Sequence, residues 1–147
     1  MFVEQMLPRA RERLAVIGAE APVREAAELM SKPHTDLVVV CGQDGAMVGV
    51  LTKTDIVRQM GRCGGSGCVE RVDAIMTREV VFCRPGEALR AVWLRMKERR
   101  LQRIPLLDQR DAPIGIIYAR DALQGLLGEA EDDEALLRDY VMSVGYQ

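Results

Sequence analysis

Histidine is almost missing from this sequence, with His34 the single one among 147 residues. A Ser-His-Asp or Cys-His catalytic site would have to be built on it, and no supporting residues stand nearby. Cysteine is scarce too: four are too few for a disulfide scaffold. There is no basic excess, because the net charge is −2, which argues against a general nucleic-acid partner. No stretch approaches about 18 consecutive apolar residues, so no membrane span is expected. The segment Met1-Phe2-Val3-Glu4-Gln5 has no basic region running into an apolar one. No signal peptide is therefore expected, and the cytoplasm is the expected location. The remainder is ordinary globular composition, 48% apolar and 29% charged, in a chain long enough for one real core.

What the sequence does have is internal duplication. Residues 16–60, moved forward by 66, fall on 82–126 without a gap. Val23-Arg24-Glu25-Ala26-Ala27-Glu28-Leu29-Met30 lands on Leu89-Arg90-Ala91-Val92-Trp93-Leu94-Arg95-Met96. Gly49-Val50-Leu51-Thr52-Lys53-Thr54-Asp55 lands on Gly115-Ile116-Ile117-Tyr118-Ala119-Arg120-Asp121. Arg24/Arg90, Met30/Met96, Gln43/Gln109, Gly49/Gly115 and Asp55/Asp121 are identical. Val3 to Leu7 also resembles Val72 to Met76, with about three extra residues following in the first copy. A repeat of this kind implies two copies of one supersecondary unit packed together with a cleft between them.

Each copy reads strand, helix, strand, strand, helix. In the first, Val16-Ile17 is a strand, 22–31 a helix and 37–41 a buried strand. Gly42 to Gly45 is a hairpin turn, followed by a strand at 47–51 and a helix at 54–60. In the second, β-branched Glu79-Val80-Val81-Phe82-Cys83 predicts a strand. Leu89, Val92, Trp93 and Met96 predict a helix over 87–99. Strands at 104–107 and 114–118 and a helix over 121–127 complete it. Four glycines in residues 61–68 predict a flexible linker. Leu136, Leu137, Tyr140, Val141 and Val144 predict an appended amphipathic helix over 132–144, its start favoured by acidic residues. The division is thus 1–60, a linker 61–71, 72–127, and a tail 128–147.

Chemistry concentrates at the strand–helix junction 49–55. A helix N-terminus presents free N–H groups to phosphate, and a carboxylate beside it suits the two hydroxyls of a ribose. Thr52 and Asp55 can hold a ribose phosphate, with Gly49 letting a ligand approach the backbone. The same Thr-x-x-Asp is also a capping box, and the pattern leaves both readings open. In the second copy Tyr118 stands at the threonine position and cannot cap that way, yet Asp121 persists. Lys53, Arg100, Arg103 and Arg120 lie near the expected cleft as phosphate partners or as solvated charges. His34 aligns with Arg100 and is a loop residue, a phosphate contact or a pH-sensitive group. Cys63 and Cys68 flank Gly-Gly-Ser-Gly at a spacing wider than a usual zinc pair. That glycine run is no P-loop, since no Gly-Lys-Ser/Thr follows. Trp93 sits on an apolar helical face as core or subunit interface.

The doubled unit, its Gly-hydrophobic-hydrophobic-Thr-x-x-Asp junction and the leading Val-Asp-Ala-Ile-Met-Thr resemble a tandem cystathionine-β-synthase-type (CBS) domain pair, a Bateman module, over about residues 3–127. The resemblance implies an α/β (α+β) fold of two βαββα repeats about a pseudo-twofold axis, with the C-terminal helix outside it. It implies a non-catalytic sensor, a homodimer built through helices, and an adenosyl ligand (AMP, ADP, ATP or S-adenosylmethionine) rather than a required cofactor. It places Asp55 on the ribose with Thr52 beside it, and Asp121 in the same role in a second cleft. It gives Thr77 to Val81 backbone contacts to adenine, sets Ile104 or Pro105 against its face, and makes Lys53, Arg100, Arg103 and Arg120 phosphate contacts. Tyr118 departs from the usual Thr or Ser, and Val39 stands where the second copy has Pro105. Two other classes remain. One is an interaction module with vestigial pockets, working through Trp93 and the 136–144 stripe. The other is a redox or metal sensor at Cys63 and Cys68. An enzyme has least support, because no base–nucleophile pair and no complete metal motif is present.

Overall fold

The computed structural model describes residues 1–62 and 69–145, and for 140 and 142–145 the backbone alone. A short 3-10 turn, Val3–Met6, leads into α1 (Leu7–Arg13). The first repeat follows as β1 (Val16–Gly18), α2 (Val23–Met30), β2 (Leu37–Cys41), β3 (Met47–Thr52) and α3 (Lys53–Arg62). The second comprises α4 (Val72–Ile75), α5 (Leu89–Glu98), β4 (Arg103–Leu107), β5 (Pro113–Tyr118) and α6 (Ala119–Gly145). None of the described helices is long and apolar enough to cross a membrane.

In the first repeat β1 pairs parallel with β2, and β2 antiparallel with β3. In the second, β4 and β5 pair antiparallel, but the strand expected over 79–83 is reduced to one parallel bridge, Cys83 to Leu106. Two prolines explain the difference. Val39 N–H donates to the Ala15 carbonyl, and Ala19 N–H to that of Cys41. The matching donors are Pro105 and Pro85, and proline has no N–H to give. Only the bonds Cys83 N–H to Pro105 and Leu107 N–H to Cys83 survive, at 3.0 and 2.9 Å.

Strand alternation sorts the core into layers. Val38, Val40 and Leu51 face α2 with Ala26 and Met30. Ile104, Leu106 and Ile117 face α5 with Leu89, Val92 and Met96. The opposite faces supply Leu37, Val39, Val50, Ile116 and Tyr118, which pack together and join the two sheets. The leading segments are exchanged between repeats. Val3 and Ala10 belong to the second repeat's core, and Val72 and Met76 to the first's. Their backbone bonds match pairwise: Val3 N–H to Glu87 mirrors Val72 N–H to Ala21, and Glu4 N–H to Pro85 mirrors Asp73 N–H to Ala19.

The helices expected at 121–127 and 132–144 are one continuous helix, α6, of 27 residues, about 40 Å long. Between Leu127 and Leu136 the sequence carries no proline, and the Glu- and Ala-containing stretch after Gly128 propagates a helix readily.

Candidate functional site

The β3–α3 junction is a complete capping box. Thr52 N–H donates to Asp55 Oδ2 at 3.0 Å, and Asp55 N–H donates to Thr52 Oγ1 at 3.3 Å. One of the two readings of Thr-x-x-Asp is therefore realised. It does not use up the carboxylate, which can accept about four hydrogen bonds. Among the described residues Oδ1 has only long contacts, to the Thr77 hydroxyl at 3.4 Å and to exposed Arg58 at 3.8 Å. Thr77 is held there by an antiparallel bridge to Val50, with N–H···O distances of 2.9 Å both ways. That bridge explains Gly49: a Cβ on it would stand 2.7 Å from the Met76 Sδ and the Thr77 carbonyl. Gly49 thus admits the Met76–Thr77 segment of the second repeat at the place where the sequence suggested a ligand.

Beside the junction lies a cleft of about 420 Å3, lined by Asp36 and Leu37, by Thr52 to Thr54, and by Arg100 to Arg103. Asp55 is not on its wall, being turned to Thr52 and Thr77. The cleft is cationic, with Lys53, Arg100 and Arg103 set against one acid. Asp36 holds Lys53 Nζ at 2.8 Å and Arg103 Nη2 at 2.7 Å. The Lys53 hydrogen bond, aided by the charges of Arg103 and Lys53, outweighs desolvation and keeps Asp36 below the usual carboxylate range. Asp36 gave no signal in the sequence, where it aligns with Gln102.

Arg100 comes to the cleft by a defined turn. Its N–H donates to the Lys97 carbonyl and that of Leu101 to Met96, which closes α5 in a Schellman motif. Arg100 occupies the left-handed position there, at φ 57°, and His34 occupies its counterpart after α2, at φ 70°.

A second cleft, of about 260 Å3, is lined by Gln102, Arg103, Tyr118, Ala119 and Arg120. Tyr118 fills the place of Thr52. It is buried, and its hydroxyl donates to the His34 carbonyl at 2.9 Å. Three guanidinium groups face its ring, Arg13 at 4.2 Å, Arg103 at 4.8 Å and Arg120 at 5.3 Å. Asp121 is buried and bound at both oxygens by Arg13, at 3.2 and 3.3 Å. Sequence reasoning missed Arg13. Its only trace was the excess of about three residues after Leu7, which is the extra turn of α1.

The remaining candidates lie elsewhere. Ile104 is 1% exposed and packs on α5, away from both clefts, while Val81 packs on the same cluster. Pro105 is buried opposite Ile116. Trp93, under Lys97 at 5.3 Å, lines a groove of about 520 Å3 between α5 and α6 with Leu123, Leu126 and Leu127. Cys63 and Cys68 lie outside the described residues. Among those described, no three His, Cys, Asp or Glu side chains are grouped to hold a metal. Desolvation, with Glu87 adding to it, pushes the Cys83 thiol up to about 12, which keeps it protonated and unreactive at neutral pH.

A family model described as "CBS domain" matches residues 3–62 and 72–128. The homoserine O-acetyltransferase of Methanococcoides burtonii is 29% identical over 75% of this chain, which spans 22% of that protein's length. CBSX2 of Arabidopsis thaliana, solved in complex with AMP, superimposes with a TM-score of 0.72 at 21% identity, over 88% of this chain and 98% of that one. The CBS domain pair of MJ0100, in complex with 5′-methylthioadenosine and S-adenosyl-L-methionine, superimposes at 0.70 with 19% identity, over the same shares. At such identities the two structural likenesses show the fold.

Proposed function

This chain belongs to the CBS domain family, and from that premise we propose that it is a non-catalytic sensor of an adenosyl nucleotide. The observation that carries the reading is the junction itself. Asp55, fixed at the N-terminus of α3, has an underused oxygen, and the cleft beside the same junction carries Lys53, Arg100 and Arg103. In this reading the ribose hydroxyls donate to Asp55, with Thr52 alongside, and the Thr77 to Val81 backbone meets the adenine. Lys53, Arg100 and Arg103 take phosphate. The adenosine compounds bound by CBSX2 and the MJ0100 pair support the base and sugar. The three cations favour AMP, ADP or ATP over S-adenosylmethionine, whose sulfonium is positive. Ile104 and Gly49 have no ligand role in it. No acyl transfer is proposed, because the chain matches only 22% of the acetyltransferase relative. Signalling follows if ligand favours one arrangement of the repeats over another.

Thermal unfolding against AMP, ADP, ATP, GTP, NAD and S-adenosylmethionine tests this. Ligand at 100 times its dissociation constant stabilises by about 2.7 kcal/mol, a rise of about 5–10 °C for a chain of this size. The expected result is a shift with an adenine nucleotide that is lost in Asp55→Ala. No shift with any ligand, in a cooperatively unfolding protein, would contradict the reading. It would favour an interaction module instead, for which the exposed Leu127, Leu136, Leu137 and Val141 of α6 supply the surface.

A further inference from the structure

The two ribose-binding candidates are equivalent in sequence but not in what they already hold. Asp55 is met by neutral groups: the Thr52 N–H and hydroxyl, and the Thr77 hydroxyl at 3.3–3.4 Å. Among the described residues its one charged neighbour, Arg58, is 3.8 Å away and mostly exposed. A ribose hydroxyl can replace the Thr77 hydroxyl one for one. Asp121 is gripped by a guanidinium through Nε and Nη2, and both side chains are largely buried, 18% and 7% exposed. Paired N–H donors on a carboxylate are the same geometry that a vicinal diol would present, with a full charge added. A ribose could reach Asp121 only by leaving a buried arginine unpaired, which is strongly unfavourable.

Arg13 is held in place by its own helix. A Cβ on Gly115 would stand 2.6 Å from the Ala10 Cβ, so α1 lies directly on β5. Arg13, three residues after Ala10, then stands over Tyr118, three residues after Gly115. At the other junction the chain leaves its helix at Met76, and Thr77 takes the corresponding place.

Resting on the nucleotide reading above, we propose that each chain binds a single nucleotide, at the Asp55 junction with its phosphate in the cationic cleft beside it, and that Arg13 blocks ribose at the second junction by occupying Asp121 as an internal substitute for it. Titration calorimetry of the full chain with AMP and with ADP reads this directly. The expected stoichiometry is one per chain. Asp121→Asn is expected to leave the affinity within about twofold, and Asp55→Asn to abolish it. Arg13→Met keeps the apolar stem, frees Asp121 and is expected to add a second binding event. Two events in the unaltered protein, or loss of binding in Asp121→Asn, would overturn the proposal while leaving the nucleotide reading intact. A stoichiometry still at one in folded Arg13→Met would overturn the role of Arg13. No heat with AMP, ADP or ATP, the last titrated in the same way, would overturn both readings together.

Discussion

Arg100 stands at a position that favours glycine. A left-handed non-glycine residue costs about 1–2 kcal/mol, and the Schellman turn that places it would form as well with Gly. Arg100→Gly is therefore expected to stabilise the protein by about 1 kcal/mol, read from the denaturant midpoint, while weakening AMP binding several-fold. If the variant gains stability and keeps its affinity, Arg100 does not touch phosphate. Residues such as Thr52 and Asp55 were legible in the sequence because their spacing is a local rule, fixed by the geometry of a helix start. Asp36 and Arg13 were not. Each acts across the inter-repeat boundary, Asp36 on Arg103 and Arg13 on Asp121, and no local spacing encodes such contacts.

At the scale of elements, the close crossing of α1 on β5 gives the most direct test. An added methyl at Gly115 would meet the Ala10 side chain and backbone at 2.6–3.0 Å. Gly115→Ala is expected to cost about 1–3 kcal/mol by overpacking, whereas Gly86→Ala, with nothing within 4 Å of its Cβ, is not expected to destabilise. Equal denaturant midpoints for the two variants would contradict the packing described. Apolar periodicity located α2, β2, α5 and β5 within a residue or two, because each buries one face or both. It failed over 79–83, where apolar and β-branched content promised a strand and two missing proline donors prevented one. It also divided α6 in two, since the acidic stretch interrupts the apolar pattern without interrupting the backbone.

For the whole molecule, the pseudo-twofold arrangement was legible because one offset aligns glycines, junction carboxylates and turn residues together. The matching left-handed residues His34 and Arg100, and Gly45 and Asp111, are its imprint in the backbone. The asymmetry was legible only in part: Tyr118 at the threonine position marked the second junction as different, but the Arg13–Asp121 pair comes from one extra helical turn whose meaning appears only when α1 meets β5. A symmetric duplication has thereby become two unequal clefts. Beside one, which has a cationic wall, stands a junction carboxylate met by neutral hydroxyls; beside the other the junction carboxylate is already paired and a tyrosine stands in place of the threonine. A crystal grown with AMP tests the central claim most directly. The account predicts ribose hydroxyls within hydrogen-bond distance of Asp55, phosphate among Lys53, Arg100 and Arg103, and the Arg13–Asp121 pair intact. Ribose against Asp121, or AMP bound away from both junctions, would contradict it.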